Sequence, residues 1–218
     1  MSTLLPPAFL FRFALPVKRI AKLPKSGTRP LNLPADTALP SLAELGDGNR
    51  YGELRIAWNG DGLGISLSVR GKRFPPEADA AVPENSDGLS LWIDTRNLQD
   101  VHRASRFCQR FLLCPTGGGK RGAEPVIRRL PIARAREEAP PVNTAEIRLW
   151  SEVDKQGYTL EAWLPASVLH GYDPAATPRL GFYYAIHDSE LGDQFLSVGT
   201  EFPHAHDPSL WCTLELQR

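Results

Sequence analysis

Residues 54–72 read LRIAWNGDGLGISLSVRGK, and apolar side chains recur at every second position on both sides of a polar turn. Leu54, Ile56 and Trp58 fall on one face, and after Asn59-Gly60-Asp61-Gly62 the set resumes at Leu63, Ile65, Leu67 and Val69. A period of two broken by Asn, Gly and Asp is the pattern of a β-hairpin with one buried face. The same alternation returns at Leu89, Leu91 and Ile93, from Phe107 to Leu113, and from Ile147 to Val153. It continues at Tyr158, Leu160, Ala162 and Leu164, at Leu180, Phe182, Tyr184 and Ile186, and at Cys212, Leu214 and Leu216. Only Pro165 to Leu169 suggests a turn of helix. Eight or so short strands without a sustained helical period predict an all-β fold, an antiparallel two-sheet β-sandwich of jelly-roll type. Residues 14–48 read as a Pro-rich N-terminal arm with a turn at Gly46 to Gly48, and 114–143 as a long basic loop insertion. Residues 1–13 read as a flexible or strand-forming N-terminus, and 14–218 as one domain.

Composition agrees. Proline makes up 20 of 218 residues, about 9% against a usual ~5%, and proline suits turns and edges better than helix interiors. Lys and Arg balance Asp and Glu at 25 each, and 42% of residues are hydrophobic, which excludes a disordered tail or a polycation. No apolar run approaches the roughly 20 residues of a membrane span. The apolar N-terminal stretch is interrupted by Pro6-Pro7 and Arg12 and lacks the basic start of a signal peptide. Cys108, Cys114 and Cys212 lack C-x-x-C spacing, which argues against a zinc ribbon or a redox pair. They fit reduced, buried thiols in a cytoplasmic protein, with a Cys108–Cys114 bridge as the alternative in an oxidising compartment.

The zero net charge conceals two opposed parts. The first 136 residues hold 21 basic and 12 acidic groups, a net +9, and the remainder 4 and 13, a net −9. Nine basic residues lie between Arg103 and Arg136, with Glu124 alone against them. This stretch either attracts an anionic partner or offsets acidic strands across the fold. The second reading is preferred, since few aromatics are present to stack bases and no nucleic-acid motif is recognised.

Four segments taken in order, the hairpin 54–72, SDGLSLWIDTRN at 86–97, QGYTLEAWLPASVL at 156–169 and LGFYYAIHDSE at 180–190, resemble the family 9 carbohydrate-binding modules and the wider group of DOMON-like β-sandwiches. The resemblance covers most of residues 50–216. It implies a sandwich whose concave face or loop rim holds a sugar, with a structural calcium ion in some members. At the place of the family's sugar-clamping tryptophan stands Glu84, at that of a sugar-binding carboxylate stands Ser90, and Phe195 is the candidate for the second clamping aromatic.

Alternation independently assigns an outward set. Ser90, Trp92 and Asp94 alternate with core residues, as do Thr159, Glu161 and Trp163, and Tyr183 and His187. On neighbouring strands these residues would share one surface, suited to a sugar ring with an apolar face and hydroxyl rim. Trp92 and Trp163 would stack on the ligand, while Ser90, Arg110, Glu161, Tyr183 and His187 would supply hydrogen bonds. The competing expectation is that the arm or the 114–143 insertion covers this face. Trp58 and Trp211 read as core.

Catalytic signals are weak. Gly117-Gly118-Gly119-Lys120 lacks the phosphate-loop spacing and reads as a loop tip, and neither G-x-S-x-G nor H-E-x-x-H occurs. His204-Ala205-His206-Asp207 reads as a solvated turn. Asp87, Asp94 and Asp188 sit at strand ends, where Asp either ligates calcium or caps a turn. A carboxylate pair of Glu161 and Asp94 is the one hydrolytic candidate. The sequence therefore leads to a non-enzymatic module that binds a saccharide or small polar ligand weakly, with a structural or protein-interaction domain as the alternative.

Overall fold

The computed structural model describes residues 6–23, 31–40, 42–45 and 49–217; the turn expected at Gly46 to Gly48 lies outside them. The described residues form eleven strands: β1 Ala14–Arg19, β2 Gly52–Asn59, β3 Gly62–Arg70, β4 Gly88–Asp94, β5 Cys108–Gly118, β6 Glu124–Leu130, β7 Arg148–Asp154, β8 Gly157–Pro165, β9 Arg179–Asp188, β10 Gly192–Phe195 and β11 Cys212–Leu216. Among the described residues helical structure is confined to short 3₁₀ turns, and no helix is long and apolar enough to cross a membrane.

The strands hydrogen-bond in one path, β6-β5-β4-β9-β11-β1-β2-β3-β8-β7, with β10 on the edge of β9. The all-β expectation holds, and two antiparallel sets of strands, β6-β5-β4-β9-β11 and β2-β3-β8-β7, are joined into one mixed, nearly barrel-shaped sheet. The join is β1, parallel to β11 through Ala14–Val17 and then parallel to β2 through Lys18 and Arg19. Its alternating burial is carried by only Leu15 and Val17, a signal too short to read beside Pro16. The two ends of the path approach each other at β6 and β7, and the Ser151 hydroxyl on β7 donates to the Pro115 carbonyl on β5 at 2.7 Å.

The expected hairpin is present, paired from Gly52↔Val69 to Asn59↔Gly62. A Cβ at Gly62 would lie 2.2 Å from the Leu164 carbonyl oxygen of β8, and its φ of +152° also favours glycine. Leu54, Ile56, Leu63, Ile65, Leu67, Leu160 and Leu164 pack against Leu89, Leu91, Ile93, Leu180, Phe182 and Leu214 in one core. Each such side chain contributes about 1.5–3 kcal/mol on burial. Trp58 and Trp211 are buried as expected, their indole nitrogens donating to Val17 and Gln217 carbonyls and to the His204 carbonyl.

The basic insertion is not a free loop. Residues 108–130 form the β5–β6 hairpin, with Leu113↔Ile127 and Cys114↔Val126 in register. Leu112, Cys114 and Val126 bury a small second cluster against it. Residues 7–10 form a 3₁₀ turn rather than a strand.

Candidate functional site

The outer face of β4, β5, β9 and β10 gathers the largest share of the candidate residues. In register, Trp92 lies between Arg110 and Tyr183, Ser90 between Leu112 and Ala185, and Phe195 opposite Ala185. Directly opposed residues point to the same side of a sheet, so one face carries Ser90, Trp92, Arg110, Tyr183, Ala185 and Phe195. His187 continues this row at the end of β9, and its Nδ1 lies 2.5 Å from Asp193 Oδ1 on β10.

Arg110 is the polar centre of the face. Its guanidinium carbon lies 5.1 Å from the Trp92 ring centroid, and its Nη1 donates to Glu84 Oε1 at 3.2 Å. Glu84 is placed by the turn Pro83–Asn85, which lies over β5. Burial lowers the pKa of Arg110 while Glu84 opposes the shift. Its Nε is buried without a hydrogen-bond partner. Ser90, Ala185 and Phe195 are half-buried, and Glu84, Arg128 and His187 are exposed.

The tryptophans are placed differently from the expectation. Trp92 is 3% exposed and Tyr183 is 0% exposed, because residues 198–206 fold over them. The Trp92 indole donates to the Ala205 carbonyl at 3.0 Å, and the Tyr183 hydroxyl donates to the Val198 carbonyl. His204, expected in a solvated turn, is buried: it stacks on Tyr183 at 4.6 Å, meets Trp92 edge-on at 5.8 Å and touches Phe195 at 5.3 Å. An imidazole thus fills the space between three aromatic rings. The covering segment is neither the arm nor the 114–143 insertion.

Trp163 and Glu161 are on the opposite side of the molecule's sheet path, on β8 beside β3, and do not join this face. Here the arm does provide the cover. Outer positions of β3 are small, Gly62, Gly64 and Ser66, leaving a trough along the strand. Leu23, Leu31 and Leu33 fill it against Trp163 and Ala57, and Glu161 accepts a hydrogen bond from the Leu31 amide. A stacking role for Trp163 is therefore replaced by a packing one. The Glu161 and Asp94 carboxylates lie on these two separated faces and form no pair.

The calcium expectation meets a different cation. Between Asp87 and Asp188 sits the Lys72 ammonium, 3.0 Å from Asp87 Oδ2 and 2.7 Å from both Asp188 oxygens. Asp94 is apart, accepting from the Arg96 and Leu98 amides at 2.9 and 2.7 Å as a turn cap. The donor set with a lysine at its centre does not fit a calcium ion, and among the described residues no group of three or more His, Cys, Asp or Glu could hold a metal.

Charge is neutralised across the fold, though largely through other residues than expected. Arg70, Lys72 and Arg73 pair with Asp154, Asp188 and Glu190. In the basic block Arg110 pairs with Glu84, Arg106 with Glu137, and Arg103 and Arg129 donate to backbone carbonyls. The three cysteines are free and buried. Cys108 and Cys114 lie six positions apart on β5, about 20 Å at the rise of a strand, which no disulfide spans.

This arrangement of strands defines a fold of the family 9 carbohydrate-binding type. Two solved structures of a family 9 module from Caldicellulosiruptor kristjanssonii share it, one in complex with cellotriose (TM-score 0.60, 11% identity, 93% of this chain and 92% of that one) and one with glucose (0.61, 11%, 94% and 95%). A Bacteroides uniformis protein named only provisionally for carbohydrate binding shares it too, with TM-score 0.55 and 15% identity over 94% of this chain and 99% of the other. No protein-family model matches the sequence, and no curated protein does.

Proposed function

We propose that this chain is a non-catalytic module that binds a saccharide, weakly, on the outer face of β4, β5, β9 and β10. The observation that carries the reading is Arg110, held over the Trp92 ring and tied to Glu84 beside the half-buried Ser90 and Phe195. Such a surface offers an apolar patch with donors and acceptors at its rim, the pattern a pyranose ring requires. Ser90, Arg110, Glu84 and His187 supply the hydrogen bonds. Phe195 supplies the ring contact that Trp92, Trp163 and Tyr183 are too enclosed to give. Few open aromatics means little buried area and hence low affinity. The test is calorimetric titration with glucose, cello-oligosaccharides and other glycans. Binding that Arg110→Ala removes and Trp163→Ala leaves intact supports the reading; no heat from any glycan defeats it.

A second reading, a structural or protein-interaction domain, draws on the cover over Trp92 and Tyr183. It also draws on the neighbouring exposed side chains Phe9, Leu10 and Phe11, at 41%, 62% and 61% exposure. It requires that no glycan bind while an apolar partner surface is lost on Leu10→Asp or Phe11→Asp.

A further inference from the structure

Lys72, just beyond β3, has a side chain 1% exposed, and the two carboxylates it contacts are as deeply buried, Asp87 at 1% and Asp188 at 0%. These three residues come from three separate segments: the exit of β3, the entrance of β4 and the end of β9. Each carboxylate is fixed without help from the lysine. Asp87 accepts from the Ser189 amide at 2.7 Å and the Glu77 amide at 3.1 Å. Asp188 Oδ1 accepts from the Glu190 and Leu191 amides at 3.0 and 2.9 Å. The Lys72 amide is itself held on the Gln156 carbonyl at 3.0 Å.

Two buried carboxylates facing one another are strongly unfavourable without a cation between them. Burial by itself would draw the proton from Lys72, but hydrogen bonds to Asp188 and then Asp87 outweigh it, and the pKa of the lysine is raised. One carboxylate that presents both oxygens and a second that presents one are a donor set suited to a hard divalent ion. Here a primary ammonium stands among those oxygens.

We infer that Lys72 is a tethered cation holding the position a divalent metal ion would otherwise take, so that this junction assembles without metal and shortening Lys72 uncovers a divalent-cation site on Asp87 and Asp188. The likeness to sugar-binding modules plays no part in this argument, and the outcome is independent of whether the chain binds a glycan.

The experiment uses the full chain, refolded in parallel in EDTA and in millimolar calcium, followed by thermal unfolding and terbium luminescence sensitised by Tyr51 and Tyr158, both of which feel the charges of Asp87 and Asp188. Wild type is expected to melt at the same temperature in both media and to give no sensitised signal. Lys72→Ala is expected to melt about 10 °C lower in EDTA, to recover most of that loss in calcium, and to show terbium emission that calcium displaces. Lys72→Met removes the charge but keeps the bulk, and is expected to lose stability without rescue. A variant that folds only in calcium supports the inference as fully as one that folds in both. It is overturned if wild type binds terbium in a manner that Asp188→Asn abolishes, or if Lys72→Ala gains neither calcium rescue nor emission.

Discussion

The Arg110 guanidinium stands 5.1 Å from the centre of the Trp92 ring, and on its other side Glu84 accepts its Nη1 at 3.2 Å. Trp92 is thereby capped from the β5 side by a charge and from the other by residues 198–206. A cation over an indole is worth about 0.5–2 kcal/mol, and a pair with so exposed a carboxylate as Glu84 adds ~0–1 kcal/mol. Arg110→Ala should therefore lower the unfolding free energy by about 1–2 kcal/mol in a urea titration. Arg110→Lys should recover only part of it, because a compact ammonium cannot serve ring and carboxylate together as a planar guanidinium does.

Trp92 and Trp163 occupy different faces, so their variants should separate. Either change to Ala removes a buried indole and should cost about 3–5 kcal/mol. Only Trp92→Ala should also disturb glycan binding, since Trp163 packs against Leu23, Leu31 and Leu33 of the arm. Glu161→Gln weakens the acceptor for the Leu31 amide. It should leave glycan affinity unchanged and accelerate tryptic cleavage after Lys22, followed by mass spectrometry. Loss of binding in Glu161→Gln would move the ligand to the arm-covered side.

Burial holds the thiols of Cys108, Cys114 and Cys212 protonated, with pKa values pushed up to about 12, 11 and 12. The thiolate is the reactive form. Native protein at pH 8 should therefore react negligibly with a thiol reagent such as DTNB, and three thiols should appear at once in guanidinium. Fast labelling of the native chain would contradict the enclosure of β5 and β11.

The strands carrying both a long alternation and flanking turn residues were legible in the sequence, as was the side of the sheet taken by Ser90, Trp92 and Tyr183. Period two states that Trp92 and Trp163 leave the core face, but not which face of the molecule each reaches. That depends on β1, a six-residue strand with a proline in its middle and only two buried positions. Nor does alternation reveal what lies over a face. Loops such as 198–206 have no period, and His204 gave no sign that its ring would lie between three others. Glu84 and Arg110 are distant in sequence, so their pairing appears only once the Pro83–Asn85 turn crosses β5. Lys72 drew no reading from the sequence, since nothing local distinguishes a solvated lysine from one that joins three segments.

The buried His204 gives the fold a pH dependence with a defined sign. Burial among Tyr183, Trp92 and Phe195 lowers its pKa below the ordinary 6.5, only partly opposed by the hydrogen bond to the Gly199 carbonyl and by the charge of Glu201. Above the unfolded-state value both folded and unfolded chains hold a neutral ring, so this residue adds no slope. As pH falls below about 6.5 the unfolded chain takes up a proton that the folded chain refuses, and stability is lost until the folded-state pKa is reached. The loss approaches about 1.4 kcal/mol per pH unit within that window. Urea midpoints measured from pH 8 to pH 5 should be level at first and then fall, and His204→Gln should flatten the decline that wild type shows. If residues 198–206 open without global unfolding, Trp92 fluorescence should change over the same pH range before the far-UV circular dichroism does. An unchanged pH profile in His204→Gln would mean that the ring does not lie buried against Tyr183 in solution.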